Sequence, residues 1–143
     1  MLRSPVMLGV RALSGLVASA GLAYDAYVHF DLAATYDAAR TGVLSQGDLF
    51  RFEAILAIVA ILGTLVRPRR YTAAFAFLVA AGGLGAVLLY RYVDVGSIGP
   101  IPSMYEPVWY PEKTHSAWAE AIAAVAAAVL LAALWLDKNR DRP

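Results

Sequence analysis

The chain contains no cysteine. Disulfides, thiolate metal centres, cysteine nucleophiles and dithiol redox motifs are therefore excluded together. Charge is scarce as well: 16% of residues are Asp, Glu, Lys or Arg, against about 25% in an ordinary soluble domain. The net charge is only +1. Phosphate binding needs a basic face, so nucleic acid is not a partner. No zincin or EF-hand spacing is present, and neither is a Gly-rich phosphate loop or a nucleophile elbow. With no Ser-His-Asp constellation either, no residue is assigned a catalytic role. Internal repeats and low-complexity tails are also missing. The 143 residues suffice for one compact domain.

Apolar residues, in contrast, make up 60% of the chain, and they come in blocks. A bilayer core about 30 Å thick needs about 20 helical residues. Tyr71 to Tyr90, YTAAFAFLVAAGGLGAVLLY, is 20 residues without a charge. Ser116 to Leu136 is equally apolar and holds one acid, Glu120. Leu49 to Val66 spans if Arg51 snorkels toward the headgroups. Ala12 to Phe30 carries Asp25 and His29 near its end. Arg3 and Arg11 precede a run ending in ASA, Ala18 to Ala20, a pattern shared with signal-peptidase sites. The apolar region before it is short, and small residues serve packing in membrane helices, so this block is read as a span. The expectation is an all-α, integral membrane four-helix bundle, with spans at residues 12–30, 49–66, 71–90 and 116–136.

Charge sets the direction of these spans. With the N-terminus cytoplasmic, Arg3, Arg11, Arg67, Arg69, Arg70, Lys138, Arg140 and Arg142 lie inside. Arg40, Arg51, Arg91 and Lys113 lie outside. The positive-inside rule favours this arrangement, with both termini in the cytoplasm of a cell membrane. Nine of the eleven acids fall on the outer side; Asp137 and Asp141 do not.

Lipid is as apolar as leucine, so close backbone approach and polar contacts must hold such helices together. Gly15 and Ser19 are placed for this on the first span, and Ala81 and Gly85, with Gly82 and Gly83, on the third. The fourth is nearly an alanine rod from Ala119 to Ala128. Leu130, Leu131, Leu134 and the Ile and Leu residues of the second span are expected to face lipid.

The outer ends of the spans collect the polar groups. The first brings Tyr24, Asp25, Tyr27 and His29; the second, Arg51 and Glu53; the third, Tyr90, Arg91, Tyr92 and Asp94; the fourth, His115 and Glu120. Seven of the eight tyrosines and both histidines lie on this side. Asp25 and His29 are four apart and share a helix face. Ionisable groups in hydrocarbon cost about 2.5–3.5 kcal/mol each on insertion scales. Asp25, Glu53 and Glu120 should therefore point inward, and some should pair with Arg51, Arg91 or His29. One reading is a structural network with an aromatic belt. The other is a ligand site formed by Asp25, His29, Glu53, Arg91, His115, Glu120, Tyr24 and Trp109. His29, His115, Asp25 and Glu120 are metal-ligand types. Two histidines at one depth also suit a haem, and tyrosines with a histidine near the surface suit a quinone headgroup. The simplest expectation is no cofactor.

Two loops cap this side. Asp31 to Asp48 is read as continuing into a surface helix that breaks at Gly42 and Gly47. Val95 to Pro111 holds Pro100, Pro102, Pro107 and Pro111, which fix φ and remove donors, so it is stiff and extended. Its Ile98, Ile101, Met104, Val108, Trp109 and Tyr110 suit headgroup depth better than open water. Pro111 suits the first turn of the fourth helix, with Glu112 near its positive end.

A first span ending in YDAYVHFDLAATYD, a return through GDLFRFEAILAIVAIL, and two further spans resemble the small four-span, DoxX-like membrane proteins of high-GC Gram-positive bacteria. That resemblance implies a membrane location, and for some members a link to quinone-dependent respiration; it supplies no catalytic residue. The functional expectation is an accessory or structural subunit. It would present its outer face to a membrane-protein partner or to a second copy of itself. The alternative is a ligand-binding or redox membrane protein using the outer His/acid/Tyr cluster.

Overall fold

The computed structural model describes residues 5–140, with side chains to 137. Four helices are present: α1 (Pro5–Ala33), α2 (Gln46–Val66), α3 (Arg70–Tyr92) and α4 (Pro111–Arg140). All four are long and apolar enough to cross a membrane. Each neighbours the next around a square, α1 closes the ring against α4, and the α2–α3 seam is the thinnest of the four. The fold is thus the expected four-helix bundle of a multipass membrane protein. Each helix contains its predicted span, and α1 and α4 run beyond theirs at both ends.

Its interior is built from alanine. Ala18, Ala26, Ala54, Ala57, Ala76, Ala80, Ala123 and Ala127 form one buried cluster with Leu22 and Val79. Leu13, Leu16, Ile55, Leu62, Leu78, Ile122 and Val125 are instead exposed. Large side chains outside and small ones inside are what lipid permits and water does not, because in lipid backbone approach, not apolar burial, drives association. Gly21 marks the closest point. A Cβ there would stand 2.7 Å from the Ala119 carbonyl oxygen and 2.9 Å from Ala123 Cβ.

Leu130 and Leu134 do not face lipid as expected. They are buried with Ala73, and Leu131 packs against them. Leu130 reaches across to α1 at Gly15, its Cδ2 3.8 Å from where a Cβ would stand, an ordinary packing contact between helices. The proposed Ala81–Gly85 packing pair does not form either. Gly85 has nothing within 4 Å of its Cβ direction, and Gly83 makes the approach instead.

At the end of the bundle that carries both termini, Arg11 is tied to Asp137 at 2.7 Å, and the short turn through Pro68 joins α2 to α3. Arg3, Asp141 and Arg142 lie outside the described residues. At the opposite end α1 leads into a 3₁₀ turn (Thr35–Ala38) and a two-residue hairpin, β1 (Arg40–Thr41) with β2 (Leu44–Ser45). The surface helix expected as far as Gly42 stops at Ala38, where Ala39 turns extended; Gly42 makes the hairpin turn at φ +61°, and Gly47 lies within α2 instead of breaking a helix. Ser45 and Asp48 then start α2 with reciprocal bonds of 2.9 Å each, a capping box. Arg51 clamps Asp37 with two bonds of 2.8 Å. Its guanidinium and the Ser45 hydroxyl hold the Asp37 carboxyl down at about 2. A Cβ at Gly47 would strike the Ala33 carbonyl and the Asp37 carboxylate, so this clasp requires glycine.

Candidate functional site

Residues 102–110 form neither helix nor strand, after a tight turn in which Ile98 pairs with Ile101 around Gly99 and Pro100, and Pro111 opens α4 as expected. Few backbone partners exist within such a segment, so it borrows them. Glu106 N–H donates to the Tyr90 carbonyl at 3.0 Å. Lys113 Nζ donates to the carbonyls of Glu106 and Val108, at 2.5 and 3.3 Å. Tyr110 and Tyr36 share a hydroxyl hydrogen bond of 2.9 Å. Burial and that bond push the Tyr110 hydroxyl well above the ordinary phenol range. Thr41 Oγ1 donates to the Pro100 carbonyl, joining the α1–α2 and α3–α4 loops.

Beneath this cover is a cavity of about 340 Å³. All four helices contribute to its wall: His29 from α1, Glu53 from α2, Gly83 from α3 and Ser116 from α4, with Tyr36 and Tyr110 at the top. Apolar side chains make up most of the remainder. Three lining residues, Phe52, Gly82 and Ala86, are also exposed on the bundle surface. The cavity therefore opens sideways between α2 and α3, on the face that meets lipid. The thin seam between those helices is its doorway.

The deep side of the cavity adjoins a cluster of buried polar groups. Asp25 and Glu120 are both 0% exposed. Ser116 Oγ donates to Asp25 Oδ1 at 2.5 Å. His29 Nδ1 lies 3.0 Å from Asp25 Oδ1 and 3.0 Å from the Asp25 carbonyl. Its ring stands edge-on to Phe50, centroids 5.1 Å apart. Asp25, His29 and Glu120 each offer one ligand atom, and these atoms all lie within 4.8 Å of one another. Glu53 Oε1 and both Glu120 oxygens have no hydrogen-bond partner, and neither does Asp25 Oδ2. Glu53 and Glu120 converge on Gly83, where a Cβ would collide with Glu120 Oε1 and lie 3.2 Å from Glu53 Oε1.

Of the candidate residues, then, Asp25, His29, Glu53 and Glu120 come together. His115 does not join them. It is exposed, with its Nδ1 3.4 Å from the Tyr24 hydroxyl. Five helical residues from Glu120 correspond to a rotation of about 140°, onto another face. His29 and His115 accordingly do not grip a common slot. Arg91 and Trp109 form a separate stack, the guanidinium 5.7 Å from the Trp109 ring and 4.9 Å from that of Tyr92. Arg51 is committed to Asp37 and Asp48, so it does not neutralise the interior acids as expected. Ser116, Gly83, Tyr36 and Tyr110 were not singled out as site residues. For Ser116 a signal existed, since it stands four before Glu120 and so shares its face. Comparison of the chain with protein-family models, curated proteins and solved structures finds no match.

Proposed function

We propose that this is a multipass cell-membrane protein, both termini cytoplasmic, that binds a membrane-dissolved amphiphile in the outer half of its bundle. The carrying observation is the cavity of about 340 Å³ between the four helices with its lateral opening at Phe52, Gly82 and Ala86. Small-molecule sites are mostly apolar hollows of about 300–1,000 Å³ with a few placed polar groups. This one has apolar walls, a pair of tyrosine hydroxyls above, and Glu53, His29 and Ser116 within reach. A ring head bearing hydrogen-bonding oxygens, as in the quinone class, suits those groups. An isoprenoid or acyl tail would trail between α2 and α3 into the bilayer. The role is binding, without chemistry on the ligand by this chain's residues. The DoxX-like resemblance agrees with a quinone-class ligand.

The test uses Gly82→Leu. Gly82 has open space around its Cβ direction, so the bundle tolerates the larger side chain while the opening narrows. Protein purified in mild detergent is extracted, and its bound lipids are identified by mass spectrometry. One amphiphile near one per chain in the wild type, reduced severalfold in Gly82→Leu at unchanged thermal stability, supports the reading. The same unselective lipid mixture from both proteins refutes it.

A second reading, an accessory subunit using the outer face, is favoured by the loop between α3 and α4. Ile98 and Val108 are each 57% exposed there on a segment stiffened by proline. A membrane-protein partner or a second copy of the chain would cover them. Val108→Glu would then abolish a specific cross-link formed by wild-type protein in membranes, and an unchanged cross-link pattern would dismiss this reading.

A further inference from the structure

We infer that Asp25, His29 and Glu120 form a binding site for one divalent first-row transition ion of the zinc class. The amphiphile proposal is not needed for it. Asp25 and Glu120 are both wholly buried. Among the described residues, no Lys or Arg comes within 4 Å of either carboxylate; His29 is the one basic neighbour, and Glu53 adds a third acid beside Glu120 at Gly83. Arg11, Arg40 and Arg51 are paired with other acids. Buried carboxylates left without a partner are strongly disfavoured. A divalent ion cancels the charge of two carboxylates and removes that problem.

The unpartnered atoms point the same way. Both oxygens of Glu120 and Oδ2 of Asp25 lack any hydrogen-bond partner, while the ligand atoms of Asp25, His29 and Glu120 lie within 4.8 Å of one another. Atoms bound at about 2.0–2.2 Å around one ion stand roughly 3–3.5 Å apart, so modest side-chain rotation closes the set. Ser116 donates to the other oxygen of Asp25, and such an outer hydrogen bond orients a ligating carboxylate. Gly83 leaves the space that Glu120 Oε1 occupies. One imidazole and two carboxylates, without thiolate, select a borderline-to-hard divalent ion. Three protein ligands leave a coordination position open, and His29 also lines the cavity.

The experiment is a Co²⁺ titration of full-length protein in detergent, freed of metal with EDTA and of chelator by exchange. Visible d–d absorption reports coordination. Saturation at one ion per chain, reversed by Zn²⁺, is the expected result. Glu120→Gln and His29→Ala should each weaken Co²⁺ binding by about tenfold or more, and exposed Asp31→Asn should leave it unchanged. Added Zn²⁺ should also raise the melting temperature of the wild type, a readout that stands even where a variant fails to fold. No saturable Co²⁺ binding by the wild type overturns the site. Binding unaffected by both ligand substitutions overturns it too. Retention of a bound amphiphile by such protein would show that the metal site alone had failed.

Discussion

Gly21→Ala adds one methyl group to the α1–α4 contact. That methyl would stand 2.7 Å from the Ala119 carbonyl oxygen and 2.9 Å from Ala123 Cβ. Comfortable carbon contacts begin near 3.5 Å, so the two helices must part by about 0.8 Å. Neither obstacle can rotate away, since one is backbone and the other a Cβ. Overpacking of this kind costs about 1–3 kcal/mol. Alanine's better helix propensity returns up to about 1 kcal/mol, which hides part of the loss. Gly85→Ala isolates the packing contribution, because it carries the same propensity gain with nothing within 4 Å. Thermal unfolding of both variants in one detergent, followed by circular dichroism, measures the difference. Gly21→Ala should melt below Gly85→Ala by an amount equivalent to about 1–3 kcal/mol. Equal melting temperatures would mean that close α1–α4 approach does not hold the bundle together.

Leu130→Ala should destabilise by about 2–5 kcal/mol as a buried large-to-small change, whereas Leu62→Ala on the lipid face should be nearly neutral in the same unfolding assay. The Asp37–Arg51 clasp should weaken in acid. The folded carboxyl sits at about 2 against an ordinary 3.8, so its contribution is complete above the ordinary value and is lost as pH falls toward 2. Hydrogen-exchange protection across residues 35–45, measured against the intrinsic rate at each pH, should fall over that interval, and Asp37→Asn should show low protection at neutral pH with the acid dependence gone. Cysteine-free sequence makes topology mapping direct: Ser97→Cys should react with an impermeant maleimide on intact cells, and Arg69→Cys only after lysis. The reverse pattern would invert the proposed orientation.

The four spans were legible because each is a mostly apolar run of membrane length, although only the third is free of charge. Their ends were not. Asp31 and Leu32 still belong to α1, since polar residues at headgroup depth continue a helix as readily as they end one. The Asp25–His29 pairing followed from spacing four apart, and the inward direction of Glu53 and Glu120 from the cost of facing lipid. What spacing along one helix could not give was rotation between helices. Leu130 is buried against Ala73 of another helix, a contact no local pattern contains. Arg51 was available to the interior acids by depth, yet the clasp with Asp37 takes it outward. The cavity is the extreme case, because its wall takes a few residues from each helix and from the connecting loop.

An interior made of methyl groups reverses the usual rule for which positions can drift. Leucine, isoleucine, valine and phenylalanine on the outside are interchangeable so long as they dissolve in acyl chains, and they can change without consequence for shape. Gly21, Gly83 and the buried alanines of α4, such as Ala123 and Ala127, cannot grow. Descendants of this fold should therefore be traceable by where they stay small, and their large hydrophobic letters should carry almost no record of ancestry.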